Sequence, residues 1–429
     1  MKKTLVCILA LALLLPLTAQ AEGFLGFFFG TPSSGLTLQY VPVQDKAFVT
    51  LDGQMTARLM GTSGDGNMLL LYNPFELYLW DQRAQCRIPV SFARPEDAEA
   101  MTQLAPMAVI NMIGRNLKKE QRNERMEQLT SQQEEYLAKR GLTAFANLDQ
   151  IVECFPQIVQ LGPRCVGISD HWALVNCVYY PCALAIDLRN GEALVFINEN
   201  QPKAFCEDRI FTSEGILNLE TREMTYGDQL GLMPAQNDGR PADLSFVYST
   251  FKLCKDGSIL TLGMEGTISF EEGNSYWLVD VRTDSNRAAC IGTYQYTGSP
   301  NMFMATEDER YLLLYNESSA YLWPFVIFDR ETGAVTEFEA RKYLPIAATK
   351  NGFLLWDLNT YDVLILDPAT CETKKVSLGS GFDWNKLNLG TLPYIIGNGQ
   401  NMFFEPNSII SMEGETTYVH GYFVLEGEE

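Results

Sequence analysis

Short apolar runs separated by polar turns dominate this chain, and several of them share an outline. VIFDRETGAVTEF (Val326–Phe338), AIDLRNGEALVF (Ala185–Phe196), ILDPATCETKKVSL (Ile365–Leu378) and ILNLETREMTY (Ile216–Tyr226) all follow one order. Apolar residues lead to an Asp or Asn, two variable residues, a Thr or Asn, a turn residue and a second apolar-rich run. Branched and aromatic residues in alternation before the Asp predict a strand. Asp and Thr cap local backbone N–H groups and Gly supplies a positive φ, so the step predicts a tight turn and the whole segment a β-hairpin. Hairpins are expected at Asp187, Asn218, Asp329 and Asp367, with looser copies at Asp81 and Asp280 and a shorter one around Asp52.

A second similarity lies upstream of these turns. Leu69–Trp80 and Leu312–Trp323 share LLLYN, a gap of four residues, and YLW; Phe353–Asp367 and Trp172–Asp187 have the same shape. Still earlier come the turn signals SGDGNM, SDHW, TEDERY and TKNGF. The unit is three or four antiparallel strands. Such small sheets cannot bury two faces alone, and radial packing of repeated sheets solves the problem. The expected fold is all-β: a β-propeller of about seven four-stranded blades, with six to eight possible. Units are read near residues 60–91, 161–197, 203–226, 244–291, 300–338, 345–378 and 389–427. An N-terminal strand near Ala47–Leu59 is expected to complete the last unit and lock the ring. The rival fold, a β-sandwich with a second domain, explains hairpins but not their recurrence.

The order of turn Asp or Gly, aromatic residue, apolar strand, polar turn, apolar strand, Asp-x-x-Thr-Gly and apolar strand resembles WD-repeat-like and YVTN-type bacterial propellers over most of the chain. YWLVD (Tyr276–Asp280) is also similar to the Tyr-Trp-Thr-Asp repeats of six-bladed propellers, although that tetrapeptide does not occur. These motifs specify an architecture and no activity.

Residues 94–140 break the β pattern. Pro95-Glu96-Asp97 starts a helix, with Ala100, Met101, Leu104, Ala108 and Met112 near helical spacing and Pro106 expected to bend or split it. A second, highly charged helix is expected from about Arg115 to Arg140, with a Glu135–Lys139 pair and Gly141 as its stop. The insertion reads as a lid or docking arm, or as a solvated decoration. The resemblance implies that it emerges on the face where ligands enter the channel.

The N-terminus changes the picture of location. Lys2 and Lys3, the apolar run Leu5–Leu17 and Ala19-Gln20-Ala21 have the form of a secretory signal peptide over residues 1–21, leaving residues 22–429 as one propeller domain. The protein is then secreted, extracellular or periplasmic. No later run is apolar enough for a membrane span. Removing Lys2 and Lys3 from 32 basic residues leaves 30 against 53 acidic ones, a net charge of −23. That excess argues against nucleic acid as a partner. Nine cysteines remain after Cys7; Cys177 and Cys182 bracket a Val-Tyr-Tyr-Pro segment where they meet across a hairpin end, while Cys206, Cys254 and Cys290 read as small core residues.

Candidate chemistry is sparse. There are two histidines, His171 and His420, and no HExxH, paired CxxC or G-x-S-x-G motif. The Asp-x-x-Thr-Gly turn resembles the docking motif of quinoprotein propellers, but the Trp that closes that motif is Phe or a neighbour here. The acidic turns TSGDGN and TEDER lack the ligand spacing of an EF-hand. No catalytic residue, cofactor or metal is nominated. Trp80, Trp172, Trp277, Trp323 and Trp356 read as core between blades, or as the lining of a sugar-binding mouth. GFLGFFFG (Gly23–Gly30) reads as a packed strand. The resulting expectation is a monomeric binding module for a protein or glycan ligand on one face. The alternative is a propeller-fold hydrolase or lyase that uses carboxylates in the central channel.

Overall fold

The computed structural model describes residues 31–427 apart from 52, 54–56, 114–116, 157–160, 198–201, 227–243, 268–272, 282–285, 295–299, 301, 317–323, 339–341, 383–393, 398–400, 406–407, 411–415 and 419. Apolar runs of four to six residues become the middle strands of small sheets. Met68–Tyr72 and Gly352–Asp357 are buried along their whole length because sheets cover both their faces. Outer strands such as Val335–Phe338 carry polar residues and are mostly exposed. Every hairpin is antiparallel, so the sheets stack as blades around an axis with their first strands innermost.

The chain is a β-propeller. Among the described residues it has six blade sheets, and the sixth is of double width. Blades one to five span residues 58–89, 163–197, 204–226, 244–294 and 302–338. The sixth joins a four-strand run, residues 343–378, to the three strands Tyr394–Gly397, Asn401–Glu405 and Gly421–Glu426 through the N-terminal strand Ser33–Pro42, which is the eighth strand of the sheet. The expected units match these spans, and the count lies within six to eight. The locking strand is Ser33–Pro42 and not Ala47–Leu59. It pairs antiparallel with Gly421–Glu426 and parallel with Thr373–Leu378, while Asp45–Phe48 form a 3-10 turn. Polar ends and Gly35 obscure its alternation in the sequence. Asp52 and Gly23–Gly30 lie outside the described residues.

Antiparallel topology fixes two faces. One, here the lower face, carries the turns between first and second strands and between third and fourth strands. The other, the upper face, carries the second-to-third turns and the connections between blades.

At the lower face the recurring Asp is an acceptor for its own turn. Asp187 Oδ1 accepts from Arg189 N at 2.9 Å, Asn218 from Glu220 N at 2.8 Å, Asp329 from Glu331 N at 2.9 Å and Asp367 from Ala369 N at 2.8 Å. Four residues after each acceptor the backbone is left-handed, at Gly191 (φ 80°), Arg222 (65°), Gly333 (76°) and Cys371 (59°). Only two of those four residues are glycine, so the side-chain acceptor enforces the turn where the residue type does not favour it. Asp81 and Gln85 repeat the arrangement in blade one.

The helical insertion is part of the body. Helix α1 (Pro95–Ile113) runs unbroken through Pro106. Its residues Met101, Ala105, Ala108, Val109 and Ile110 are buried in the same cluster as the cores of blades one and two. Burial on this scale outweighs the backbone hydrogen bond that proline removes. Helix α2 (Lys119–Arg140) ends at Gly141 (φ 66°), and Glu135 meets Lys139 at 2.6 Å. It buries only Leu129, Gln133 and Leu137. A third helix absent from the sequence reading, α3 (Leu148–Cys154), is capped by Asn147 accepting from Gln150 N. Among the described residues, no helix is long and apolar enough to cross a membrane.

Candidate functional site

Lower-face side chains cross from blade to blade. Arg189 of blade two ion-pairs with Glu220 of blade three at 2.9 Å, and Trp172 Nε1 donates to the same Glu220 at 2.8 Å. That donor, ahead of the neighbouring Arg189, holds the Glu220 carboxyl below its ordinary pKa. Arg209 of blade three donates to the Lys255 carbonyl of blade four at 2.7 Å. At the next seam Arg330 of blade five, buried, reaches Asp280 at 3.2 Å, Asp256 at 3.3 Å and Ser258 Oγ at 2.7 Å, all in blade four. These contacts fasten the blades together.

One group among the described residues brings three ligand-type side chains together: Cys254, Asp256 and Glu309, with atoms within 4.8 Å of one another. Its charges are already balanced by protein cations. Lys252 Nζ lies 3.2 Å from Glu309, Lys255 N donates to Glu309, and Arg330 sits on Asp256. Burial pushes the Cys254 thiol up to about 12, which keeps it protonated and a poor metal ligand. The cluster is therefore read as part of the seam.

The upper face is different in kind. Residues 43–51 follow the N-terminal strand and cross this face. Leu51 N donates to the buried Glu76 carboxylate in the second-to-third turn of blade one. Glu76 pairs with Arg87 at 3.2 Å, and Arg87 continues to Asp149 of α3 at 2.7 Å while its guanidinium lies 3.6 Å from the centre of the Tyr78 ring. Tyr78 donates to the Ala47 carbonyl at 2.8 Å, and burial raises its pKa. His420 stacks on Phe48 at 4.1 Å with Nδ1 2.8 Å from Asp45 Oδ1, tying the last strand to the same segment. His171 sits in a lower-face turn, so the structure does not bring the two histidines together.

Around this polar frame, large apolar side chains face solvent. Val49 and Leu51 of the crossing segment, Val178 and Tyr179 in the second-to-third turn of blade two, and Tyr361 in that of the sixth blade are all exposed, Val178 at 66%. The turn holding Val178 and Tyr179 is fixed: Val178 N donates to the Gly162 carbonyl, and Leu161 N to the Pro74 carbonyl of blade one. Gly162 (φ +55°) leaves room for the Tyr179 ring, since a Cβ there would stand 2.7 Å from it. Met107 and Ile113 of α1 are exposed as well.

No protein-family model and no curated protein matches this chain. Similar solved structures include "Streptogramin B lyase structure" (9% identity, 92% of this chain and 98% of that one, TM-score 0.38). Others are a chain of the mitotic checkpoint complex (7%, 96% and 94%, 0.37) and the β-propeller domain of Cps50 (Swd1) from Myceliophteria thermophila (9%, 87% and 97%, 0.35). These likenesses are too distant to carry a function.

The remaining expected sites resolve as follows. Trp80, Trp172 and Trp356 are buried and Trp277 is half-buried with Nε1 donating to Glu265, so none of these four presents an open ring for stacking on a sugar. Trp323 lies outside the described residues. Cys206 and Cys254 are buried as expected; Cys290, expected in the core, is exposed on the fourth strand of blade four. The first strands of the blades, Arg58–Thr62, Pro163–Ile168, Ala204–Cys206, Leu244–Leu253, Met302–Ala305, Tyr343–Thr349 and Tyr394–Gly397, contain no Asp or Glu. The charged residues on them are Arg58, Arg164 and Lys252.

Proposed function

We propose that this protein is an exported binding module that takes a protein ligand on its upper face. The supporting observation is the concentration of exposed apolar side chains, Val49, Leu51, Val178, Tyr179 and Tyr361, on one face, while beside the lower-face turns the large apolar residue exposed among the described residues is Val335. Such residues, held on anchored turns, act as anchors for an interface because a partner covers them at little cost in side-chain entropy. Buried tryptophans favour a protein over a glycan ligand, since sugar recognition uses open aromatic rings. The hydrolase or lyase alternative is disfavoured by inner strands that offer no carboxylate. Export rests on residues 1–21, which lie outside the described residues.

The test is capture of ligands on protein and glycan arrays by the full exported chain, followed by affinity measurement. Val178→Ser with Tyr179→Ser should weaken binding at least about tenfold with folding unchanged. Unaltered affinity, or loss of binding on changing lower-face Arg310 or Glu331 instead, would reject the assignment of the face.

A further inference from the structure

We propose that Cys177 and Cys182 become joined by a cross-strand disulfide when the protein folds in the presence of a disulfide oxidant, and that the bond forms before α1 docks. The two residues face each other as register partners at the end of the hairpin whose strands are Trp172–Cys177 and Cys182–Asp187. Opposed residues of an antiparallel pair stand about 4.5–5.5 Å apart at Cα, within the span of about 4.4–6.8 Å that disulfides bridge. Both thiols are free in this structure and both side chains are buried. The cover is α1: Met101 Sδ lies 3.9 Å from Cys182 Sγ. The loop between the cysteines carries Val178 and Tyr179, so the bond would brace the turn that presents them. The inference does not depend on what that turn binds.

Chemistry sets the order of events. A thiolate attacks one sulfur of oxidised glutathione and expels a glutathione thiolate, leaving a mixed disulfide. The second cysteine thiolate then attacks the protein sulfur and expels the second glutathione. The protein loses two electrons and two protons, and the oxidant becomes two thiols. In the folded protein the hydrogen bond to Cys182, together with burial, drives the Cys177 thiol pKa well up, and α1 blocks access. Exchange is therefore slow once the helix is in place and fast while the hairpin is open.

The experiment unfolds the full chain and refolds it in mixed oxidised and reduced glutathione. Thiols are then blocked with an alkylating agent under denaturing conditions, and the protein is digested with chymotrypsin without reduction. Cleavage after Tyr179 separates the two cysteines, so linked fragments and a mass lower by about 2 Da report the bond. A second sample, refolded in reductant and only then exposed to the same glutathione, should show at least about tenfold less linkage in the same time. C177S and C182S should each abolish the link, whereas C165S on the neighbouring strand should leave it. Alkylation of both cysteines after oxidative refolding, glutathione retained on either, or linkage to Cys165 would overturn the pairing. Equal linkage in the two samples would overturn the proposed order.

Discussion

The two faces of this ring are built from the same strands yet differ in what their turns do. Lower-face turns spend their side chains on the protein itself. Aspartates cap their own turns, and Arg189, Arg209 and Arg330 reach across seams to the next blade. Upper-face turns leave Val178, Tyr179 and Tyr361 in solvent over a polar frame of Glu76, Arg87 and Asp149. The difference teaches that stability and recognition are divided between the ends of the strands. A lower-face substitution should cost stability, and an upper-face substitution should cost binding.

The largest effect is expected at the seam between blades four and five. Arg330→Ala leaves Asp280 buried without its guanidinium and should destabilise the protein by about 3–5 kcal/mol in urea unfolding, with ligand affinity unchanged in the folded fraction. A loss under about 1 kcal/mol would mean that the seam contributes no more than a surface ion pair. A finer comparison uses one turn geometry found on both faces. Cys371 (φ 59°) on the lower face and Tyr361 (φ 61°) on the upper each sit in left-handed backbone four residues after an aspartate. Replacing either with glycine relieves that conformation and should stabilise by about 1 kcal/mol. Only Tyr361→Gly should also weaken binding, and equal effects on binding would erase the distinction between faces.

The smallest effect is a pH dependence. Trp172 holds the Glu220 carboxyl below its ordinary value, so the folded state binds that proton less readily than the unfolded chain. The stabilisation is complete above the unfolded glutamate pKa, about 4.3, and is lost as pH falls through the lower folded value. Because Glu220 is partly exposed, Trp172→Phe should remove about 1 kcal/mol or less of this pH-dependent part. The wild-type advantage over the variant should shrink as pH drops below 4 in thermal unfolding. An advantage that stays constant with pH would assign the effect to packing alone.

The lower face was legible in the sequence because its turns are made by local chemistry. An Asp that caps N–H groups two and three residues on leaves a short-range signature, and Asp187, Asp329 and Asp367 could be placed without any knowledge of the ring. The upper face was not legible as a binding surface. Asn73 and Asp357 cap the turns NPFE and LNTYD by the same local rule, accepting from Phe75 N and Asn359 N, but a cap says nothing of which side chains stay in solvent, and VYYP offers no such acceptor. Whether Val178 faces solvent depends on which blade edge covers it. The seam of Arg330 with Asp280 escaped notice for the same reason: fifty residues separate the partners. The helices were found from their caps and spacing. Their docking is not legible because Ala100, Met101, Leu104, Ala108 and Met112 predict one apolar stripe, whereas burial also takes in Asp97, Thr102, Pro106 and Ile110. Helix α3, at seven residues, is too short to stand out from a loop by periodicity.

The strand Ser33–Pro42 has a consequence in time. It leaves the ribosome long before its partners: Ser34 Oγ donates to the Lys375 carbonyl across 341 positions of sequence. At a synthesis rate of about 5–20 residues per second, the strand waits roughly 20–70 s for a mate. Throughout that interval its Leu36 and Leu38, which end in the core, have no surface to cover them. Blades one to five can assemble from neighbours as they emerge, but closure is a late, long-range event of high contact order. The growing chain is therefore exposed to mispairing at this strand, and a nascent-chain chaperone or a translocation machine that holds the chain extended would protect it until its partners emerge.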